Sequence, residues 1–463
     1  MNLTLAFQLG KPAAELQRSD IIAYIQQHGI QYLCFQYPDL ENRLREVMIP
    51  VNSIEYAHRV LAAGERVDGS SIFKGIIPSG ESDLYIVPNY STAYLNPFLD
   101  KTVNIVCSFL NRHEQEADFT PQNLLKNAWQ RIVDEQGLEL WGLGELEFYL
   151  IGHRQYEDYL LEPQRGYHQS SPFLKFRNVN LEIGRILSDI TANVKYVHGE
   201  VGYIRDLQWH GKTCHAEQYE IEFLPAPLPV AALNLSIARW VAENVAAAHE
   251  LQISFQPKLQ KGHAGTGLHF HLELLRGGNN IMRGEDGELS REAKAMLSAL
   301  CEYAPSLTAL GNRSESSYRR LVPNHESPTT VYWNELDRNA LIRIPLGWRN
   351  GEDLASVINL NNRENYHSPY HRQTAELRSA DGSAHHYFLL AGICQAVYSG
   401  LSDQEHYAGK AAYYNRRQQD TALKLPASCS ESALLFRSSR EKYADVFNDR
   451  IVDHIIQVLS EAK

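Results

Sequence analysis

Four short apolar stretches, far apart in the chain, each carry two polar residues at positions i and i+2. They are Glu145 and Glu147 in WGLGELEFYLIG, Glu220 and Glu222 in EQYEIEFLP, His269 and His271 in TGLHFHLEL, and Glu376 and Arg378 in TAELRSA. On a β-strand, residues i and i+2 share a face, so each stretch aims its polar pair one way and its apolar neighbours the other. Solvent-facing pairs would account for one such stretch. They account poorly for four, because the flanking Leu143, Phe148, Ile221, Leu268 and Leu272 belong to the residue types of buried strands. Buried carboxylates need a partner that offsets their desolvation, and three or more together do not all ionise without a cation. A carboxylate-rich set with one or two imidazoles suits a hard divalent ion, Mg2+ or Mn2+, better than zinc.

With 463 residues the chain exceeds what one core usually holds, and two domains are expected. A net charge of -11 argues against a general nucleic-acid or anionic-membrane partner. Cys34, Cys107, Cys214, Cys301, Cys394 and Cys429 form no CxxC pair, so free thiols in a reducing compartment are expected rather than a disulfide framework or zinc knuckle. The opening MNLTLAFQLGKPAAEL lacks a basic n-region, and no apolar run approaches the ~18 residues of a membrane span. A cytoplasmic enzyme is the expected setting.

Ser19 or Asp20 caps a helix over DIIAYIQQH that Gly29 ends, and IQYLCFQYPDLENRLREVMIP reads as two strands around Pro38-Asp39. A helix SIEYAHRVLAAG, a turn-rich VDGSSIFKGIIPSGESD and a strand NIVCSFL complete an α+β unit over 1–116, closed by the polar NRHEQEADF. Residues 117–463 form the second unit, opening on a helix signalled by Thr120-Pro121. Its strands and helices alternate irregularly, which favours α+β over a doubly wound sheet.

The order of these elements resembles the glutamine synthetase family of ATP-dependent ligases. The likeness runs from DGSS (68–71) and ESD (81–83) through GELEF (144–148), QYEI (218–221) and GTGLHFHLEL (265–274). It continues through SSYRRLVPNHESP (316–328), RNALIRIP (338–345) and AELR (375–378) to LPASCSESAL (425–434). The resemblance implies an N-terminal β-grasp-like domain and a catalytic domain built on a strand-lined, barrel-like funnel holding ATP and two or three divalent ions. It implies Glu147 and Glu220 as ligands of a first ion, and Glu145, His269 and Glu376 as ligands of a second. The remaining ligand of the first is Glu200 in VKYVHGEVG or Glu217 in HAEQYE. Glu200 is preferred, with YIRDLQWHGKTCHAE as a lengthened hairpin loop; a weakened site that uses neither stays open.

The resemblance also implies Gly265, Arg320 and Arg378 as binders of a glutamate-like acid, and Arg338 and Arg343 as phosphate binders. Glu326 would be a flap residue that helps deprotonate an amine. Asp68, from a neighbouring subunit of a ring-shaped homo-oligomer, and Tyr167 would belong to an amine pocket. Plainer readings stand beside these. Arg338 and Arg343, five apart, fall on opposite faces of a regular strand; His271 is a packed residue; Glu222 is a solvated neighbour; and Asp68 is a turn residue. Ala264, Glu273 (near an expected nucleotide), Gln373, Thr374, His385, His386 and the NHE flap depart from the family's habit. These departures favour a γ-glutamylamide-forming ligase with a non-standard amine over a synthetase using ammonia or a catalytically silent regulator.

Overall fold

The computed structural model describes residues 2–77, 80, 82–153, 159–322, 327–347, 354–362, 364, 366, 373–415 and 423–462. In the N-terminal unit, α1 (Arg18–His28) leads into the hairpin β1 (Tyr32–Pro38) and β2 (Leu44–Pro50), then α2 (Ile54–Ala63). β3 (Glu65–Asp68), β4 (Asp83–Pro88), β5 (Tyr94–Leu95) and β6 (Thr102–Leu110) follow. The sheet order is β2-β1-β6-β4-β3 with β5 beside β6; β1 and β6 run parallel and the other pairs antiparallel. α1 has Gln17 at its N-cap rather than Ser19 or Asp20. Asp20 sits one turn inside and accepts the Gln17 N–H at 2.9 Å, the second arm of a capping box.

The second unit is built on one curled sheet. Its elements are α3 (Pro121–Gln136), β7 (Glu139–His153), α4 (Arg177–Thr191), β8 (Val194–Trp209), β9 (Lys212–Phe223), β10 (Ala226–Pro227), α5 (Leu228–Ala248) and β11 (Gln252–Ser254). After them come β12 (Leu268–Arg276), β13 (Asn279–Asn280), α6 (Arg291–Gly311), α7 (Glu315–Arg320), β14 (Trp333–Glu335), β15 (Ile342–Ile344) and β16 (Ala375–Leu377). α8 (His386–Ser402), α9 (Cys429–Ser438) and α10 (Asp449–Glu461) lie toward the C-terminus. The strands lie in the order β14-β15-β16-β12-β7-β9-β8.

One face of this sheet is the core. Phe148, Tyr219, Ile221, Phe270 and Leu272 are fully buried there, each contributing about 1.5–3 kcal/mol through removal from water. Gly142 and Gly144 lie on the same face of β7, where a Cβ would come within 2.9 Å of Leu228 and 3.0 Å of Leu235. The missing side chains let α5 press onto the strand. The segment YIRDLQWHGKTCHAE is not a loop. It forms the outer halves of β8 and β9, closed by a turn at His210-Gly211. Glycine suits that turn because its φ is +77°.

The two units are tied where the β1–β2 turn meets the start of α8. Asn42 Nδ2 donates to Ala384 O at 2.9 Å, and His385 Nε2 lies 3.0 Å from Asp39 O. His385 is thus a buried structural residue at this junction, while the buried His386 Nε2 lies 2.9 Å from Ser236 Oγ on α5, and neither lines the cavity.

Candidate active site

The other face of the curled sheet encloses a cavity of about 600 Å3. Strand register brings the sequence pairs together in rows. Glu147 stands opposite Glu220, which stands opposite His198. Glu145 lies between His269 and Glu222, with Tyr196 beyond Glu222. His271 faces Glu376, which faces Arg343. The i, i+2 rule therefore delivers every pair to one face, and the ladder sets which side chains are neighbours.

In the row system around Glu145, His271 Nε2 lies 3.0 Å from Glu145 Oε1, and His269 Nδ1 lies 3.0 Å from Glu145 Oε2 and 3.7 Å from Glu376 Oε1. Burial works to raise the Glu145 carboxyl, but the His271 and His269 imidazoles outweigh it and hold it well below the usual range. Glu145, His271 and Glu376 present atoms close enough to share one cation. His271, read as a packed residue, is half-buried and bonds Thr374 Oγ1 at 2.9 Å, yet it also lines the cavity with Glu145.

The second group is His198, Glu200 and Glu220, again within reach of one ion. His198 Nε2 is 3.3 Å from Glu220 Oε2. Burial, then the charges of Glu147 and Glu220, pushes Glu200 up to about 9. Burial and the neighbouring Glu145 and Glu147 raise Glu220 as well. Glu147 closes the group from β7, accepting Gln218 Nε2 and Gly267 N, each at 2.7 Å. A Cβ on Gly267 would sit 2.8 Å from His269 Nε2 and 2.9 Å from Glu147 Oε1, so any larger residue here would push these two cavity side chains out of place.

Glu217 points to the opposite face of β9. Its carboxylate is fully buried and accepts from Lys175 N (2.7 Å) and Phe176 N (3.0 Å), with His215 Nε2 at 2.7 Å and the Tyr219 hydroxyl at 2.5 Å. It anchors the loop before α4 and does not line the cavity. Glu222 is not solvated: it is buried and takes Lys195 Nζ at 2.6 Å. His198 was passed over in the sequence, although it stands two residues before Glu200 and obeys the same alternation.

The remaining expected residues divide. Tyr167, Gly265, Arg320, Arg338, Arg343 and Arg378 all line the cavity. Tyr167 is held by the bonds of its neighbours to β8, Gly166 N to Val201 O at 3.2 Å and His168 N to Gly199 O at 2.9 Å. Arg320 is buried, donating to Ser379 O at 3.0 Å, with a nitrogen 3.2 Å from His269 Nε2. Arg378 Nε donates to Glu376 Oε1 at 2.9 Å, and its guanidinium also bonds Arg338 O. Arg343 donates to Glu376 Oε2 at 3.0 Å, and its Nε is buried with no partner among the described residues, leaving a donor for an incoming anion. Arg338 falls in the turn between β14 and β15 rather than on a strand, so the alternation that would set it opposite Arg343 does not apply.

Asp68 is exposed and absent from the cavity wall of its own chain. It caps a one-turn helix, accepting Ser70 N at 2.9 Å and Ser71 Oγ at 2.7 Å. Glu326 lies outside the described residues. Glu273, expected near a nucleotide, is buried, accepts from Asn280 Nδ2 at 2.6 Å and does not line the cavity.

Residues 118–461 match the glutamine synthetase catalytic domain, and residues 29–112 match the glutamine synthetase beta-Grasp domain. The chain belongs to the glutamine synthetase family. A glutamine synthetase of Staphylococcus epidermidis is 27% identical over 401 residues, spanning 85% of this chain and 81% of its own. One from Sulfolobus acidocaldarius is 24% identical over 485 residues, spanning 97% and 96%. Among solved structures, Plasmodium falciparum glutamine synthetase superposes with a TM-score of 0.79 at 19% identity, covering 97% of this chain and 96% of its own. A GmaS/ADP complex does so with 0.73 at 18% identity, covering 95% and 94%. The expected fold and ligase class are those of this family, an N-terminal β-grasp domain ahead of a catalytic domain with ATP-dependent ligase activity.

Glutamine synthetases use ATP with divalent metals, and the residues here fit such ions. Six carboxylates (Glu145, Glu147, Glu200, Glu220, Glu222 and Glu376) line the cavity. The raised Glu200 and Glu220 show a charge deficit that a hard cation would relieve. Among the described residues no helix is long and apolar enough to cross a membrane.

Proposed function

We propose that the protein joins the γ-carboxylate of glutamate, or a closely related acid, to an organic amine. The observation that carries this reading is the wall beside Glu200. Tyr167 stacks on His168 at 4.0 Å, and both rings meet His198 edge-on, at 5.6 and 4.5 Å. Ring faces of this kind pack against the carbon skeleton of an amine and attract its ammonium form; a bare ammonium ion needs none of that surface. The presence of Glu200 itself supports ammonia as a second reading.

In the first step an oxygen of the acid attacks the γ-phosphorus of ATP, the bond to the β-phosphate oxygen breaks, and ADP leaves behind an acyl phosphate. The GmaS/ADP complex is a fold neighbour that carries this nucleotide. Arg343, with its spare Nε, and Arg338 would meet the transferring phosphoryl group through planar guanidinium donors. Arg320 and Arg378, beside Gly265, would hold the carboxylates of the acid. Divalent ions held by Glu147, Glu200, Glu220 and His198, and by Glu145, Glu376 and His269 or His271, would supply charge neutralisation along the phosphates. In the second step the amine nitrogen attacks the acyl carbon, its proton passes to a carboxylate, and the carbon–oxygen bond to phosphate breaks. Asp68 of a neighbouring subunit in a ring and Glu326 are the carboxylates proposed for that proton.

The test is phosphate release from ATP with glutamate and a panel of ammonia, alkylamines, polyamines and aromatic amines, with products weighed by mass spectrometry. An organic amine should give kcat/KM at least about tenfold above ammonia, the scale of one or two well-packed carbon contacts. Turnover with ammonia alone would overturn the organic-amine reading.

A further inference from the structure

His263 and Gln164 line the cavity from two different loops and meet side chain to side chain, His263 Nδ1 lying 3.2 Å from Gln164 Oε1. His263 belongs to the turn before β12 that carries Gly265 and Gly267. That turn is pinned by the Tyr149 hydroxyl, which donates to Ala264 O at 3.0 Å, and by Gln218 Nε2, which donates to Gly265 O at 2.9 Å. Ala264 brings no polar side chain, so the bond toward the other loop falls to His263. A second contact, 3.4 Å from His263 Nε2 to Gln260 Nε2, orients the ring.

Gln164 belongs to the loop that carries Tyr167 and His168. Its φ is +63°, and that of His168 is +55°, a left-handed backbone that residues other than glycine hold only where surrounding contacts impose it. Near His168 those contacts come from β8. His168 N and Gly166 N bond it, and Gly166 lies so close that a Cβ would stand 2.4 Å from Glu200 O. At Gln164 the side chain has one partner among the described residues, and it is His263. We infer that His263 and Gln164 are positioning residues whose bond couples the turn at Gly265, where the acid would sit, to the wall at Tyr167, where the amine would sit. An acid in place steadies His263, and His263 in turn holds the loop that presents Tyr167. The coupling rests on the acid and amine subsites proposed above and adds a link between them.

The experiment follows amide hydrogen exchange by mass spectrometry, with Mg2+ and with or without saturating glutamate. In wild type, glutamate should slow exchange about fivefold or more at residues 262–268 and also at 164–169. In His263→Ala the first protection should stay within about twofold of wild type and the second should vanish. Gln164→Ala should do the same, and the double variant no more than either single one, because each breaks the same bond. His263→Asn, whose amide N–H stands near the place of Nδ1, should restore the protection to within about twofold. In turnover, KM for an organic amine should rise about fivefold in His263→Ala while kcat and KM for ATP stay within about twofold. Three results overturn the coupling and leave the pair a local brace. They are protection at 164–169 that survives in His263→Ala, protection there that is lost together with that at 262–268, and a wild type protected at 262–268 alone. Should His263→Ala fail to fold, Gln164→Ala is read against the same outcomes. Glutamate that protects neither segment of wild type would sink the acid subsite and the coupling with it. The expected exchange pattern in a protein that turns over no organic amine would support the coupling and overturn only the choice of amine.

Discussion

Cation binding should expel a proton, and the electrostatics of the Glu200 group set how many. Without a cation, burial and the charges of Glu147 and Glu220 hold Glu200 near 9, against roughly 4.3 in an unfolded chain. Between those values the folded protein keeps a proton that the unfolded chain has lost. Stability contributed by that proton is complete below about pH 4.3 and falls as pH rises, by about 1.4 kcal/mol per unit, until the folded value is passed. A divalent ion takes the proton's place. At about pH 7.5 nearly every Glu200 is protonated, and Glu220 in the same group is raised as well, so binding at this site should release at least about one proton, and the apparent affinity should rise at least about tenfold per pH unit. Titration of metal-free protein with Mg2+ in two buffers of different ionisation enthalpy counts the protons directly. Glu200→Gln should lower the release by about one proton. An affinity that does not change between about pH 6 and pH 8, with no buffer-dependent heat, would refute the claim that mutual repulsion charges this site with a proton.

Further outcomes follow from single contacts. Gly267→Ala places a methyl against His269 and Glu147 and should lower turnover at least about a hundredfold with little change in melting temperature, since the clash is local. His198→Ala removes an imidazole from the Glu200 group; Mg2+ affinity should fall about tenfold or more, read by the same calorimetry. Tyr167→Ala strips the stacked ring from the wall beside Glu200; KM for an organic amine should rise about tenfold while that for ammonia stays within about twofold, measured by coupled ADP release. Glu217→Gln leaves the donors of Lys175, Phe176, His215 and Tyr219 short of acceptors and should cost about 1–3 kcal/mol in chemical denaturation.

The fold and much of the candidate site were legible in the chain because alternation is a local property. Glu145 and Glu147, Glu220 and Glu222, His269 and His271 each share a face whatever the partners, and the buried flanks said that this face was not bulk solvent. The ordered motifs, spread over almost the whole length, named the family and with it the β-grasp domain. The same rule, applied once more to VHGE, would have found His198 beside Glu200.

Pairing, bulges and burial are another matter, because they are properties of two or more strands at once. Ladder register set Glu222 opposite Glu145 and made it a buried partner of Lys195 instead of a solvated neighbour. A β-bulge at Lys195 reversed the side that alternation assigns to it. Glu200 and Glu217 look alike as acidic residues near a strand, yet the fold turns one into the cavity and bonds the other to four donors behind the sheet. Local spacing fixes the direction of a side chain relative to its own strand; what stands opposite, and whether water reaches it, is decided only when distant segments pack together.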